Sequence, residues 1–341
     1  MRRLLPLSLL LACAAGPALA QSCPAPRFSV SDLKVGDGAL DHGFISGPSL
    51  VDVDGDGDLD LMLTHGYDTS PGVKPTGPDR SMFYLNDGHG VFTRAEDSPL
   101  SKADLLASGS TWADVDGDGD KDVFIPTQAG RVDGFYRNLG GGRFERQELG
   151  DATQTKGSNF TASWVDIDGD GDLDLTAGGP TLEPGQPNLI YRNDAGRFVR
   201  VTGLPIENGK GNPGAVLWAD LDGDGDPDLV VANSDAQRLN DMEIAPYETP
   251  VVWRNDGQWR FIRIEQPALA GREHAANVLA LGDADNDGDL DLFSSGFGDK
   301  HVSDRKDRLY LNDGKGVFRE ITAFPGAFNP RSEEHTSELQ S

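Results

Sequence analysis

The chain has 341 residues, with 56 acidic and 30 basic side chains and a formal net charge of −26 at pH 7. Charge this negative argues against nucleic acid and anionic membranes as partners, because both would be repelled. At 37% hydrophobic residues the chain is too apolar for a disordered acidic segment, and its two cysteines rule out a disulfide scaffold or a zinc–cysteine protein.

From the N-terminus, Arg2 and Arg3 precede an apolar run from Leu4 to Leu11, and Pro17-Ala18-Leu19-Ala20 follows. This pattern predicts a secretory signal peptide over residues 1–20, cut after Ala20. A competing reading takes Leu10-Leu11-Ala12-Cys13 as a lipoprotein box with Cys13 lipidated, but it leaves Ala18–Ala20 unexplained. Both readings export the chain, to a secreted, periplasmic or cell-surface location. No later stretch approaches the roughly 20 apolar residues of a membrane span. Cleavage after Ala20 leaves Cys23 as the only thiol, and an odd cysteine in an exported protein predicts a partner elsewhere.

Residues 21–330 are dominated by one unit repeated five times. Its first landmark is a nine-residue acidic loop with aspartate at every odd position. The copies are Asp52, Asp54, Asp56, Asp58 and Asp60; Asp114, Asp116, Asp118, Asp120 and Asp122; and Asp166, Asp168, Asp170, Asp172 and Asp174. The fourth and fifth are Asp220, Asp222, Asp224, Asp226 and Asp228, then Asp283, Asp285, Asp287, Asp289 and Asp291. First aspartates are spaced by 62, 52, 54 and 63 residues. The second landmark is an aromatic-x-Asn turn closed by Phe: Tyr84 to Phe92, Tyr136 to Phe144, Tyr191 to Phe198, Trp253 to Phe261 and Tyr310 to Phe318.

Strand-length apolar segments flank each acidic loop, such as Val216-Leu217-Trp218-Ala219 before the fourth and Leu229-Val230-Val231-Ala232 after it. Asn86-Asp87-Gly88 between two aromatic-rich segments reads as a hairpin turn, because Asn and Gly tolerate positive φ. Each unit is therefore four strands: A, acidic loop, B, long loop, C, turn, D. Tandem four-stranded units predict an all-β propeller with five blades in this fragment. Trp112, Trp164 and Trp218, with Leu50 and Leu281 in the equivalent places, are expected to pack between blades.

The loop chemistry points to calcium, which takes six to eight oxygens. Carboxylates at positions 1, 3, 5 and 9 can converge if the chain curls at the glycines of positions 4 and 6, such as Gly55 and Gly57, and the carbonyl at position 7 would turn inward. About five Ca²⁺ ions are expected. The loop is not an EF-hand, because position 12 is Leu63, Ile125, Ala177, Val231 or Ser294 instead of Glu.

The pattern D-x-D-x-D-G-x-x-D-L with Y-x-N-x-G-x-G-x-F between copies resembles the FG-GAP/VCBS repeat. That resemblance covers about Arg27 to Phe324 and implies an integrin-α type β-propeller with calcium in the A–B loop, held by positions 1, 3, 5, 7 and 9. It is also similar to bacterial cartilage acidic protein-like chains, which continue into an ASPIC/UnbV domain. The last eleven residues, Arg331 to Ser341, resemble a translated sequencing adapter, so residues 331–341 are set aside as artefactual and the gene is expected to continue beyond Pro330. A lost C-terminal cysteine would then pair with Cys23. Arg27-Phe28-Ser29-Val30 resembles the later D strands, such as Arg197-Phe198-Val199-Arg200. An orphan outermost strand would be completed by a further A–B–C set, giving six or seven blades in the full-length protein.

These features predict an exported calcium-binding propeller that binds a protein or a carbohydrate, in the manner of an adhesion module. The binding face would be the B–C and D–A loops, of which the one from Asn233 to Pro250 carries Arg238, Met242 and Tyr247. The alternative is a calcium-dependent extracellular enzyme, such as a polysaccharide lyase or a phospholipase. His42, His65, His89, His274 and His301 stand in no nucleophile or catalytic-metal motif, so no catalytic residue is assigned.

Overall fold

A computed structural model describes residues 34–35, 45–66, 80–107, 109–128, 130–157, 159–178, 188–208, 213–233, 250–269, 276–296 and 307–321. The signal peptide, Cys13, Cys23, Phe28–Val30, the loop bearing Arg238, Met242 and Tyr247, and the C-terminal tail lie outside them.

The described residues form five antiparallel four-stranded blades of a β-propeller. Strand β1 (Lys34–Val35) precedes blade 1, which contains β2 (Ile45–Val51), β3 (Asp60–His65), β4 (Met82–Asn86) and β5 (Val91–Arg94). Blade 2 contains β6 (Thr111–Ala113), β7 (Asp122–Ile125), β9 (Gly134–Asn138) and β10 (Phe144–Gln147). In its B–C loop β8 (Arg131–Val132) pairs with β11 (Lys156–Gly157), which follows blade 2 in the chain, as a separate ribbon. Blade 3 contains β12 (Thr161–Val165), β13 (Asp174–Gly178), β14 (Leu189–Asp194) and β15 (Arg197–Val201). Blade 4 contains β16 (Pro213–Ala219), β17 (Asp228–Asn233), β18 (Val251–Asn255) and β19 (Phe261–Ile264). Blade 5 contains β20 (Ala276–Gly282), β21 (Asp291–Gly296), β22 (Arg308–Asn312) and β23 (Phe318–Glu320).

Within each blade the strand order is A–B–C–D, so the loop from A to B and the turn from C to D meet at the same end of the sheet. In blade 1, β1 adds a fifth strand, pairing in parallel with β5 through Lys34 with Val91 and Val35 with Phe92. A D strand is a sheet edge whose free N–H and C=O groups accept any extended segment that passes.

The core lies between blades. Val53, Met62 and Phe83 of the first unit are buried against Val123, Ile125, Tyr136 and Phe144 of the second, with the Phe83 and Phe144 rings edge-on at 5.8 Å. Trp164 reaches back to Phe124 and Phe135 of blade 2, and Trp218 donates from Nε1 to Thr176 Oγ1 of blade 3 at 3.1 Å. The tryptophans of strand A thus pack between blades, as does Leu281. Leu50 departs from that pattern and stays 56% exposed, because no described strand packs on its side of blade 1.

Position 2 of the acidic loop is also part of this core. Val53, Ile167 and Leu221 are at most 2% exposed, and each is buried among residues of the following blade. Removing one such side chain from water stabilises the blade contact by roughly 1.5–3 kcal/mol.

Candidate metal centres

Each acidic loop is pinned at both ends. Its first aspartate follows the last residue of strand A, or lies just beyond it, and its ninth opens strand B. Between them the backbone turns left-handed twice. Position 4 has φ of +76° at Gly55 and +63° at Asn286, the one non-glycine there, and position 6 reaches +94° to +100° at Gly57, Gly119, Gly171, Gly225 and Gly288. Asn tolerates the first turn, whereas the second excludes residues with a Cβ. The first aspartate holds the curl closed: Asp52 Oδ1 accepts from Gly55 N at 2.8 Å and its Oδ2 from Gly57 N at 3.0 Å. The bond to position 6 recurs at Gly119, Gly171, Gly225 and Gly288.

This curl brings aspartates of positions 1, 3 and 9 together. One carboxylate oxygen of each lies within 4.8 Å of the others in Asp52/Asp54/Asp60, Asp166/Asp168/Asp174, Asp220/Asp222/Asp228 and Asp283/Asp285/Asp291. In the second loop the trio is Asp114, Asp116 and Asp118. In all five loops the position-5 carboxylate also turns to the backbone: Asp56 Oδ1 accepts from Asp58 N at 2.9 Å, and Asp118, Asp170, Asp224 and Asp287 do the same for Asp120, Asp172, Asp226 and Asp289. Position 7 faces the C–D turn. A Cβ on Gly257 would lie 2.9 Å from Asp226 Oδ2 and one on Gly314 2.6 Å from Asp289 Oδ2, and the positive φ of both residues (72° and 71°) favours glycine there.

The ninth aspartate is the buried anchor. Asp174 Oδ2 accepts from Ile167 N at 3.0 Å, and its Oδ1 accepts from Asn193 N at 2.8 Å. Asp60, Asp122, Asp228 and Asp291 are held the same way by Asn86, Asn138, Asn255 and Asn312. Burial raises the Asp122 and Asp228 carboxyls to about 6 and Asp174 to about 7, against the lowering effect of those hydrogen bonds. Asp54, Asp222 and Asp285 are also pushed up, burial first and neighbouring carboxylates next among the raising causes. The loops thus hold convergent negative charge that a cation would relieve.

The sequence places the asparagine ending strand C in a turn, where it could tolerate positive φ. Its backbone is not left-handed; that conformation falls to the residue two places on, Gly88, Gly140, Ala195, Gly257 and Gly314. The asparagine acts through its amide. Asn138 Nδ2 donates to Lys121 O in its own loop and to Val53 O, 2.7 Å away in the preceding blade. Asn255 reaches Ile167 O at 2.9 Å, and Asn312 reaches Leu221 O at 2.8 Å. Each of these three therefore ties its own loop to the previous one. The only sequence signal for this was its fixed place after the aromatic residue.

The donor set is all oxygen, which suits a hard cation such as Ca²⁺ or Mg²⁺. In the third loop Asp168 Oδ2 accepts from Trp259 Nε1, while its Oδ1 is buried with no hydrogen-bond partner. A buried carboxylate oxygen left bare is costly unless a cation meets it. The residues fit a divalent ion.

Asn159, within the sequon Asn159-Phe160-Thr161, is 4% exposed and donates from Nδ2 to Asp133 Oδ2 at 2.7 Å. Asp133 also accepts from Thr127 N and Oγ1, and burial lifts its carboxyl to about 7. No described helix is long and apolar enough to cross a membrane.

The model for the FG-GAP-like repeat matches residues 52–125 and 181–231. No curated protein matches the chain significantly. Among solved structures, it is similar to an Agrocybe aegerita lectin described as recognising non-reducing terminal N-acetylglucosamine. That match has 18% identity and a TM-score of 0.54, covering 84% of this chain and 68% of the lectin. It is also similar to the V. cholerae biofilm matrix protein Bap1, at 15% identity and a TM-score of 0.49, covering 87% of this chain and 42% of that one. The exotype rhamnogalacturonan lyase YesX follows at 17% identity and a TM-score of 0.42, covering 79% of this chain and 45% of that enzyme. The chain thus spans less than half of the latter two. It carries FG-GAP-like repeats built as the blades of a β-propeller.

Proposed function

We propose that the chain is an exported, calcium-binding propeller that acts as a protein- or glycan-binding module. One observation carries the reading: a close carboxylate trio recurs in five loops, at positions 1, 3 and 9 in four of them, each loop clamped between two strands. In four loops positions 1, 3 and 9 would hold the ion, with positions 5 and 7 supplying further oxygens. A bound Ca²⁺ supplies neutralising charge, which locks the A–B end of each blade. The chain's own residues do the rest. The position-6 glycine sets the curl, the ninth aspartate anchors the loop, and the asparagine couples it to its neighbour.

A scaffold locked at one end frees the opposite loops for recognition. The residues favoured there, Arg238, Met242 and Tyr247, lie outside the described residues. Carbohydrate is the ligand class to test first, since the lectin with the same fold recognises a terminal amino sugar. The basic-then-apolar leader supports export.

The test has two arms. Calorimetric titration should show about five Ca²⁺ ions, and chelation should lower the melting temperature. No binding together with an unchanged melt would overturn the metal reading. A glycan array should show retention without turnover; cleavage of an acidic polysaccharide would favour an enzyme instead.

A further inference from the structure

The five loops share a sequence but not a surrounding. The residue before the strand-C asparagine is Leu85 in blade 1, Arg137 in blade 2, Arg192 in blade 3, Arg254 in blade 4 and Leu311 in blade 5. Three loops therefore have a guanidinium within reach, and what it does depends on the residue two places further on. In blades 3 and 4 that residue is Asp194 or Asp256. Arg192 Nε lies 2.7 Å from Asp194 Oδ1, and Arg254 Nε lies 2.6 Å from Asp256 Oδ1. Both guanidinium groups are drawn outward, although Arg254 Nε keeps a 3.9 Å approach to Asp222 Oδ2.

In blade 2 the corresponding residue is Leu139, an exposed apolar side chain that offers no acceptor. Arg137 folds inward. Its Nη1 pairs with Asp116 Oδ2, and its Nε sits 3.9 Å from Asp122 Oδ2. The side chain is 17% exposed, against 44% for Arg192 and 36% for Arg254, and its guanidinium lies over the Phe135 ring at 5.8 Å. This is also the loop whose close trio excludes the ninth aspartate.

We infer that Arg137 is a tethered counter-cation that neutralises the second acidic loop from within, making it the weakest divalent-ion site of the five. This rests on the metal reading above and adds an order among the sites. An ion entering this loop must displace a half-buried guanidinium from two carboxylates, whereas in the first and fifth blades the corresponding residues, Leu85 and Leu311, carry no charge. Without calcium the second loop becomes the least repulsive of the five, because its guanidinium is the most deeply buried against the loop carboxylates.

The experiment is a Ca²⁺ titration of the full chain, with melting curves in calcium and in chelator. The wild type should bind four ions, and a fifth roughly tenfold or more weakly. Arg137→Leu, which installs the residue of blades 1 and 5, should bring the fifth ion up to the strength of the others and lower the melting temperature in chelator. Asp116→Asn should remove that gained ion in the Arg137→Leu background and leave the tight four unchanged in the wild type. Leu139→Asp, an exposed change that gives Arg137 the outward partner of its counterparts, should strengthen the fifth site even if Arg137→Leu fails to fold. Five equal sites in the wild type, or no gain in either variant while four sites titrate normally, would overturn the inference alone. No binding at any loop would overturn the metal reading and this inference with it.

Discussion

Trp259 Nε1 donates to Asp168 Oδ2 at 2.9 Å, joining the C–D turn of blade 4 to the acidic loop of blade 3. The indole thus touches a carboxylate of the third candidate site, and Trp259 itself holds a positive φ of 62° to reach it. Tb³⁺, which substitutes for Ca²⁺ at oxygen sites, should show luminescence on tryptophan excitation. Trp259→Phe should remove most of that signal and weaken the third site. Unchanged sensitised emission in the variant would show that the indole does not report on this loop. Asp168→Ala should weaken the same site and leave distant loops largely intact, since blades contact mainly their neighbours.

The asparagine bridges predict a graded effect on stability. Asn138 is fully buried and bonds both its own loop and Val53 O across the blade boundary, whereas among the described residues Asn86 Nδ2 reaches Leu59 O in its own blade alone. Asn138→Ala should cost about 1–3 kcal/mol by leaving buried acceptors unsatisfied, and Asn86→Ala clearly less. Denaturant unfolding of both variants in saturating calcium measures the difference. Equal losses would mean that the inter-blade bond contributes little.

Acidity should act in opposite directions with and without the ion. Asp122, Asp174 and Asp228 have carboxyls raised by burial to about 6, 7 and 6 in the folded chain. A raised folded value means that stability is fully present below the unfolded value of 3.8 and is lost as pH rises through the folded values. In chelator, melting temperature should therefore fall between about pH 4 and pH 7. Calcium affinity should rise over the same range as the protons leave. A chelated melt that is flat across this window would contradict the burial argument.

Asn159 should carry no glycan. Its amide is 4% exposed and spent on Asp133, so a folded chain offers no acceptor there. Intact mass after expression in a glycosylating host should match the unmodified chain. Full occupancy would show that modification precedes folding of this blade. Replacing Asn159 by Ala should instead destabilise the protein, because Asp133 would lose one of its donors.

The repeat, the strands and the acidic loops could be read from the chain alone because each rests on local chemistry. A continuous β-branched apolar run such as Leu229 to Ala232 forms a strand where it is buried on both faces, and Gly57 turns left-handed because nothing with a Cβ does so cheaply. What lies between blades could not be read in this way. Asn138 meets Val53 across 85 residues, Asn255 meets Ile167 across 88 and Trp259 meets Asp168 across 91, and no local pattern encodes such pairs. The same holds for the inequality of the loops. Five acidic loops look interchangeable along the chain. Only the path of strand C decides that Arg137, lacking an aspartate at position 139, folds back onto Asp116, because a charged side chain pairs with whichever opposite charge the folded backbone brings within reach.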